Sequence, residues 1–311
     1  MNPSDDKVMF TTMGPLPRAA LGFMLPHEHV FVEFREPDHP HHAIASTADV
    51  VALMQPEVER AKALGITAMV DCTPVGVGRR ADIVLAVSQA AGLPIIVPTG
   101  IYREPWVPHW AQGADEAALE AWMLRELNQS FDEADFRAGW IKLSAGDDGI
   151  SPMEAKILRA AARASAKTGA VIGSHTIRGR VVMDQLDIIE AAGGSASRFI
   201  SIHTNAEPDF DLHKAVAARG AWIEYDNIGW VPDDETVPRI LRAIEAGLTS
   251  QLLLSHDAGW FDPAKPGGGT PMPYTPLMER ILPRLREAGI GADVIDRLTI
   301  ANPFDAFART M

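Results

Sequence analysis

Two histidines separated by one residue, His27 and His29, are the first residues in the chain whose spacing suggests chemistry. They lie at the end of an apolar run, Gly22–Val30, that predicts a β-strand. Side chains two residues apart on a strand project to the same face, so the two imidazoles are suitable ligands for one divalent metal ion. The pair alone also fits a surface or structural role, so the rest of the chain must decide between these interpretations.

Histidine and aspartate also lie at the ends of three later apolar runs. His175 and His203 follow consecutive runs, and neutral imidazoles there favour a second metal ion, although a single histidine of this kind is more often structural. Asp257 offers a carboxylate that can bind a metal and accept a proton from water, or else cap a turn. We expect its neighbour His256 to point to the opposite face, and we leave it outside the site.

Lys142 lies within an apolar segment, Trp140-Ile141-Lys142-Leu143, that predicts another strand. A buried ammonium without a partner is costly, so one interpretation is an exposed lysine or one paired with a carboxylate. The other interpretation is a lysine that reacts with carbon dioxide. The resulting carbamate resembles a carboxylate and can bridge two cations.

The elements that would carry these residues repeat along the chain. Eight short apolar runs predict strands over Gly22–Val30, Ile66–Thr73, Pro94–Gly100, Gly139–Ala145, Ala170–His175, Phe199–Thr204, Ala221–Asn227 and Gln251–Asp257. Amphipathic segments between them predict helices over Ala48–Leu64, Arg80–Ala91, Glu116–Phe131, Met153–Lys167 and Asp234–Ala246. Such repeats without a linker predict an α/β fold, one TIM (β/α)8 barrel domain over residues 1–311. A barrel gathers the carboxyl ends of its strands on one face, where the polar residues would meet.

Charge and composition exclude several classes of partner. A net charge of −13 disfavours nucleic acid and anionic membranes. Cys72 is the only cysteine, so no internal disulfide can form, which fits a reducing cytoplasm. The segment Met1–Phe10 lacks the features of a secretory signal, and no apolar run approaches the ~20 residues that span a bilayer. We therefore expect a cytoplasmic protein that does not bind membranes.

Taken in order along the chain, these residues resemble the phosphotriesterase-like family of the amidohydrolase superfamily. The resemblance covers nearly the whole chain and includes Gly22–His29, Pro98–Tyr102, Ile141-Lys142, Ser174–Thr176, Ile202-His203, Ser255–Asp257 and Asn302-Pro303. The ordered set of His-x-His, Lys, His, His and Asp, each on its proper strand, is a highly specific pattern.

The resemblance implies a site with two divalent metal ions, zinc first, with cobalt, manganese or iron as alternatives. It implies that His27, His29 and Asp257 hold the more buried ion. His175 and His203 would hold the more exposed ion.

The resemblance also implies a group that bridges the two ions. Some relatives carry Glu at the position of Lys142, so the lysine here indicates the branch in which its Nζ is carboxylated. The carbamate and a hydroxide would bridge both ions, the hydroxide would attack the substrate, and Asp257 would take up the proton.

The residues that contact the substrate are expected near the strand ends. Tyr102 matches a position where relatives place an aromatic residue beside the metals. Phosphotriesterases have His at the position of Asn227, and the lactonase branch tends to Arg. Asn227 matches neither, so the resemblance does not assign the substrate of either branch to this chain. Asp226 is expected to support proton transfer. Three tryptophans predict an apolar pocket wall, with Trp260 as a substrate contact: Trp106, Trp230 and Trp260.

The favoured hypothesis is a metal-dependent hydrolase that cleaves a lactone or another carboxylic ester. Alternatives are a phosphotriesterase or phosphodiesterase that uses the same site, and a relative that hydrolyses amides. A non-catalytic barrel that only binds ligands would lack a metal ligand, whereas all six positions are filled. The resemblance further implies a homodimer. The loop that contains His39, His41 and His42 is interpreted as solvated rather than as an extra metal site.

Overall fold

The computed structural model describes residues 6–311. Residues 1–5 lie outside the described residues; they belong to the segment Met1–Phe10, for which the sequence predicts no secretory signal. The strands are Lys7–Thr11 (β1), Gly14–Pro17 (β2), Phe23–Phe31 (β3), Ile66–Asp71 (β4), Ile95–Ile96 (β5), Pro98–Thr99 (β6), Trp140–Ser144 (β7), Ile172–His175 (β8), Phe199–Ile202 (β9), Trp222–Tyr225 (β10), Leu252–Leu254 (β11), Ala258–Phe261 (β12) and Arg309–Thr310 (β13). The α-helices are Thr47–Ala63 (α1), Ala81–Ala91 (α2), His109–Gly113 (α3), Glu116–Asn128 (α4), Pro152–Thr168 (α5), Gly179–Ala191 (α6), Phe210–Ala218 (α7), Asp233–Glu245 (α8), Leu282–Glu287 (α9), Ala292–Asp296 (α10) and Asn302–Phe307 (α11).

The central strands pair in parallel and follow one another around a ring. One sheet has the order β11-β10-β9-β8-β7-β6, and another has the order β12-β3-β4-β5. Only Val97 separates β5 from β6, and residues 255–257 separate β11 from β12, so each sheet continues into the other at both ends. The eight strand positions therefore form the TIM barrel that the sequence predicts, with the helices outside it.

The third strand differs from its prediction. The apolar run Pro94–Gly100 predicts one continuous strand, whereas the chain forms two segments of two residues each, β5 and β6. Proline has no backbone N–H to donate to a neighbouring strand, and Pro98 is the first residue of β6, where this loss is tolerated.

Apolar side chains fill the barrel in two layers. A large cluster lies between the strands and the helices, and a smaller one fills the inside of the barrel around Met24, Val70, Ile96 and Trp140. The small antiparallel sheet of β1, β2 and β13, which the sequence did not predict, lies beside the start of β5, where the Thr12 N–H donates to the Ile95 carbonyl at 2.9 Å. The opposite, carboxyl ends of the strands carry the polar residues.

A membrane-spanning element is not found in the part of the chain that the structure describes. Within residues 6–311, none of the helices combines the length and the apolar character that crossing a bilayer requires.

Candidate metal centre

The six predicted ligands line one small cavity at the carboxyl ends of the strands. This cavity has a volume of about 60 Å3, and its walls also include Cys72, Tyr102 and Trp260. The six ligands are His27, His29, Lys142, His175, His203 and Asp257. The barrel thus brings together residues that are up to 230 positions apart in the sequence, because they lie on, or just after, five different strands whose carboxyl ends meet on one face.

The first group of donors is His27, His29 and Asp257. The Nε2 atoms of His27 and His29 lie 3.4 and 3.0 Å from Oδ1 of Asp257. Nε2 of His27 is fully buried and has no hydrogen-bond partner among the described residues. A buried nitrogen without a partner is rare in a folded protein, and here it faces two further donor atoms. This arrangement fits a metal ion that three atoms would share.

The second group is formed by His175 and His203, whose Nδ1 and Nε2 atoms lie 2.8 Å apart. Burial, and after it the neighbouring His203, holds the pKa of His175 well below its ordinary value. The His175 imidazole is therefore neutral at ordinary pH and presents a lone pair, as a metal ligand must.

Buried polar groups behind the imidazoles fix their orientation. Nδ1 of His27 lies 2.8 Å from Oε2 of Glu224 and 3.3 Å from Oδ2 of Asp226. Nδ1 of His203 lies 2.9 Å from Oδ1 of Asp226, and Nδ1 of His29 lies 2.7 Å from Oγ1 of Thr73. In each case the outer nitrogen is held from behind, which directs Nε2 into the cavity, an arrangement typical of metal-binding histidines.

The charges of the protein groups also favour a cation at this position. Burial opposes ionisation of Asp257, but His27 and His29 more than offset it and hold the pKa of Asp257 well below its ordinary value. Burial lowers the pKa of His27, yet the acidic groups around it, Cys72 first and then Glu224 and Asp257, raise that pKa well above its ordinary value. Asp257 is therefore ionised and presents a negative charge to the cavity, as a ligand of a cation should.

Lys142 projects from β7 into the same cavity and is only 2 % exposed. Its Nζ lies 5.9 Å from the centre of the Trp140 ring. Within residues 6–311, no carboxylate oxygen lies within 4.0 Å of Nζ. An ordinary ion pair therefore does not account for this buried lysine.

A second buried carboxylate holds the segment that carries Asp257. Glu28 points away from the cavity and accepts hydrogen bonds from Oγ of Ser255 at 2.8 Å, Nδ1 of His256 at 2.6 Å and the Ala258 N–H at 3.0 Å. Nε2 of His256 accepts the N–H of Leu277 at 2.9 Å, so His256 takes part in this bracing rather than in the metal cavity. Asp257 itself adopts a left-handed backbone conformation, with φ of +54°.

The cavity opens into a wider mouth of about 330 Å3 with mostly apolar walls. Asn227, Trp230 and Trp260 line this mouth, as does Asp226 at its base. Trp230 and Trp260 have ring centres 5.9 Å apart, and the buried Nε1 of Trp260 has no hydrogen-bond partner among the described residues.

Two aromatic residues lie on the other side of the cavity. The Tyr102 ring contacts the rings of His175 and Trp106, at 5.4 and 5.7 Å between centres. Burial raises the pKa of Tyr102 to about 12, so its hydroxyl stays protonated. Trp106 supports Tyr102 and is not itself part of the lining of the cavity or its mouth.

Three residues of the site were missed in the sequence: Cys72, Thr73 and Glu224. Glu224 could have been predicted from the sequence, because it is a carboxylate within the apolar strand Trp222–Tyr225. It lies two residues before Asp226, so both carboxylates face the same side. Cys72 and Thr73 follow a strand without any local distinguishing feature. The histidine-rich loop 37–46 holds no cluster of three possible metal ligands in the described part of the chain.

Comparison with known proteins now identifies the family. The sequence model of the phosphotriesterase family matches residues 7–307. This chain belongs to the phosphotriesterase family. It is therefore a metal-dependent hydrolase that acts on ester bonds, and the family's metal centre is binuclear.

Three similar proteins illustrate the range of this phosphotriesterase family. A phosphotriesterase homology protein of Mycobacterium tuberculosis (strain H37Rv) is 29 % identical and aligns over 96 % of this chain and 97 % of its own. An aryldialkylphosphatase of Saccharolobus solfataricus is 26 % identical, over 93 % and 95 % of the two chains. A solved structure belongs to a protein whose organophosphate hydrolysis activity was engineered from a weak promiscuous lactonase template. It is 29 % identical to this chain, the match covers 96 % of this chain and 99 % of the other, and the TM-score is 0.85.

Proposed function

We propose that this protein hydrolyses a neutral lactone or another carboxylic ester at a binuclear metal centre. The observation that carries the proposal is that all six candidate ligands line one cavity of about 60 Å3. We propose zinc as the metal, with cobalt, manganese or iron as alternatives, and His27, His29, Lys142, His175, His203 and Asp257 as the ligands. Bound cations would lower the pKa of a water molecule and polarise the oxygen of the scissile bond.

The residues around the metals would have separate roles in proton transfer, ligand orientation and substrate binding. Asp257 would accept the proton from the attacking water, because its carboxylate Oδ1 faces the cavity. Glu224 and Asp226 would keep the imidazoles oriented while charge develops. Tyr102 stays protonated and can donate a hydrogen bond, and Trp260 beside the mouth has a buried indole N–H without a partner among the described residues.

The walls of the mouth support a neutral substrate. Ile177, Ala206, Trp230 and Trp260 provide apolar surface, and Asn227 provides an uncharged amide. Neither arginine nor lysine is among the described residues that line this mouth, so an anionic substituent would find no partner there. A lactone or an aryl ester fits such a wall. A neutral phosphotriester also fits and is the second candidate, since a relative is an aryldialkylphosphatase.

A substrate panel tests this proposal. Lactones, neutral aryl esters and phosphotriesters would be assayed with zinc, cobalt or manganese, beside an inactive Asp257→Asn control. We expect kcat/KM for lactones or carboxylic esters to exceed that for phosphotriesters. Turnover of phosphate esters alone would contradict the choice of substrate, and the absence of any turnover by metal-loaded protein would favour a binding protein.

Lys142 is proposed to be carboxylated on Nζ. The support is its burial in the cavity without a carboxylate partner. Native mass spectrometry should show the metal-loaded protein heavier by one carbon dioxide, and Lys142→Arg should lose this mass together with metal. An unmodified lysine in fully metal-loaded protein would refute this part of the proposal. A single domain over 1–311, a homodimer and a cytoplasmic location stay predictions.

A further inference from the structure

A second cleft of about 360 Å3 lies between α7 and α8, outside the metal cavity. Phe210 and His213 line it from α7, and Arg239 and Arg242 line it from α8. The two arginines are three residues apart on one helix, so their side chains project to the same side. Glu207 lines the cleft as well, so two cationic side chains are present with one carboxylate, in a chain whose net charge is −13.

Neither arginine has an acidic partner in the described part of the chain. No carboxylate oxygen of residues 6–311 lies within 4.0 Å of either guanidinium, and one nitrogen of Arg239, Nη1, is buried without any hydrogen-bond partner. By contrast, Arg79 has a carboxylate partner: it forms two hydrogen bonds with Glu126, at 2.6 and 2.7 Å, although its Nε also lacks a partner among the described residues. A guanidinium without a carboxylate partner keeps N–H donors available, so Arg239 and Arg242 can bind an anion in the cleft.

The nearby acidic groups are already engaged elsewhere. The carboxylate of Glu207 accepts the N–H groups of Gly179 at 2.8 Å and Asp209 at 2.9 Å. Asp211 pairs with Lys214 at 2.5 Å. Glu207 lines the cleft and offsets part of its positive charge, and an excess of one positive charge remains among the lining residues.

The cleft walls are held in place before any ligand binds. The guanidinium carbon of Arg242 lies 4.0 Å from the centre of the Phe210 ring, a cation–π contact that fixes both groups. Nδ1 of His213 bonds the hydroxyl of Tyr225 at 2.8 Å, and Nε2 bonds the Glu207 carbonyl at 2.9 Å. Both nitrogens of His213 are thus used, which leaves the arginines as the groups that can recognise an anion.

We propose that this cleft binds a small organic oxyanion, a carboxylate or a phosphate that carries an apolar group. The planar guanidinium of Arg239 can hold two oxygens of either anion. Pro208, Pro238 and Phe210 provide apolar surface for the rest of the ligand.

Asn205 connects the cleft to the mouth of the metal cavity. It lines both spaces, and its Oδ1 accepts the N–H of Asp226 at 2.8 Å. Asp226 in turn holds His203. An occupant of the cleft therefore lies one residue away from the group that positions a predicted metal ligand.

Calorimetric titration of the metal-loaded protein tests the proposal. Inorganic phosphate and benzoate are the two probes, and they separate a phosphate ligand from a carboxylate with an apolar ring. We expect Arg239→Gln and Arg242→Gln each to weaken one binding event about tenfold or more, the effect of losing a charge-assisted hydrogen bond. Arg180→Gln removes the same charge from an exposed side chain of α6 and should leave binding unchanged.

The metal centre can itself bind anions, and the variants distinguish this event. Binding at the metals should persist in Arg239→Gln, whereas binding in the cleft should not. Arg239→Lys keeps the charge but not the planar fork, so an intermediate affinity supports the proposed geometry. Equal affinities of the wild-type protein, Arg239→Gln and Arg180→Gln, with unchanged circular dichroism, would overturn the proposal.

Discussion

Replacing Asp226 by asparagine tests whether the buried carboxylate positions the metal ligands. Oδ2 of Asp226 accepts the backbone N–H of His203 at 2.9 Å, and Oδ1 accepts Nδ1 of the same histidine at 2.9 Å. Oδ2 also lies 3.3 Å from Nδ1 of His27. Burial opposes ionisation of Asp226, but His203 and His27 hold its pKa well below the ordinary value. Asparagine has the same shape, but one oxygen becomes an NH2 group.

The expected loss follows from counting donors. Whichever way the new amide turns, its NH2 group faces a buried N–H of His203, which then lacks an acceptor. An unsatisfied buried donor costs about 1–3 kcal/mol, which the variant avoids without metal by letting His203 turn and must meet again when a metal requires the ligand orientation. Because each 1.4 kcal/mol corresponds to about a factor of ten, metal binding should weaken by roughly 10- to 100-fold. This range agrees with the usual effect of changing a group behind a metal ligand, about 10- to 100-fold.

Metal content at fixed free metal concentration measures this loss. Asp226→Asn and wild-type protein would be dialysed against buffered zinc and analysed for metal per chain. Asp184→Asn is the matched control, because it removes the same charge from a side chain that is 53 % exposed on α6. Equal metal affinity of Asp226→Asn and wild-type protein would refute the positioning role. Equal losses in Asp226→Asn and Asp184→Asn would show an effect of net charge alone.

Three further predictions follow from the same structure. A Cβ on Gly100 would lie 2.1 Å from the Lys142 carbonyl, so Gly100→Ala should lower the urea-derived free energy of unfolding by about 3 kcal/mol. Gly247→Ala, at φ of +80° with no atom within 4 Å of its Cβ, should lose only about 1 kcal/mol, and equal losses would contradict the steric argument. Burial raises the pKa of all three tyrosines, that of Tyr102 to about 12. The folded protein therefore keeps these protons more tightly than the unfolded chain does. The stability that the tyrosines contribute is complete below pH ~10 and falls as the pH rises through the folded-state pKa. Tyrosinate absorbance should therefore appear together with the loss of circular dichroism, and its appearance near pH ~10 in folded protein would contradict the prediction. Trp260→Phe removes the indole N–H together with part of the ring that contacts His29, Phe34 and Trp230, and it should lower kcat/KM about tenfold, whereas unchanged kinetics would exclude a hydrogen bond to substrate.

The sequence predicted those features that local pattern determines. Each barrel strand is an apolar run, and a polar residue such as His175 at its end is visible without any knowledge of the fold. The hydrolase class and the barrel followed from the order of these residues. The buried groups that hold these residues in place were not visible in the sequence. Glu28 and His256, for example, are separated by 228 residues, and only the closure of the barrel brings them together. Thr73, behind His29, lacks even a local signal.

The bracing carboxylates also explain how two predicted ligands keep a strained backbone. His203 and Asp257 are not glycines, yet they have φ of +62° and +54°. Such conformations cost about 1–3 kcal/mol each, and they persist only where the surroundings enforce them. In both cases a buried carboxylate accepts an adjacent backbone N–H: Asp226 accepts that of His203, and Glu28 accepts that of Ala258, next to Asp257.

Hydrogen bonds to a charged group contribute about 1.5–3 kcal/mol, which matches the cost of the strain. The strand ends thus supply the residue types, whereas Asp226 and Glu28 hold two of them in the orientation that a metal needs. Because these braces consist of protein groups alone, the donor atoms should keep their arrangement when the metal leaves. A site arranged in advance avoids ordering its ligands on binding, so the braces favour metal affinity as well as geometry.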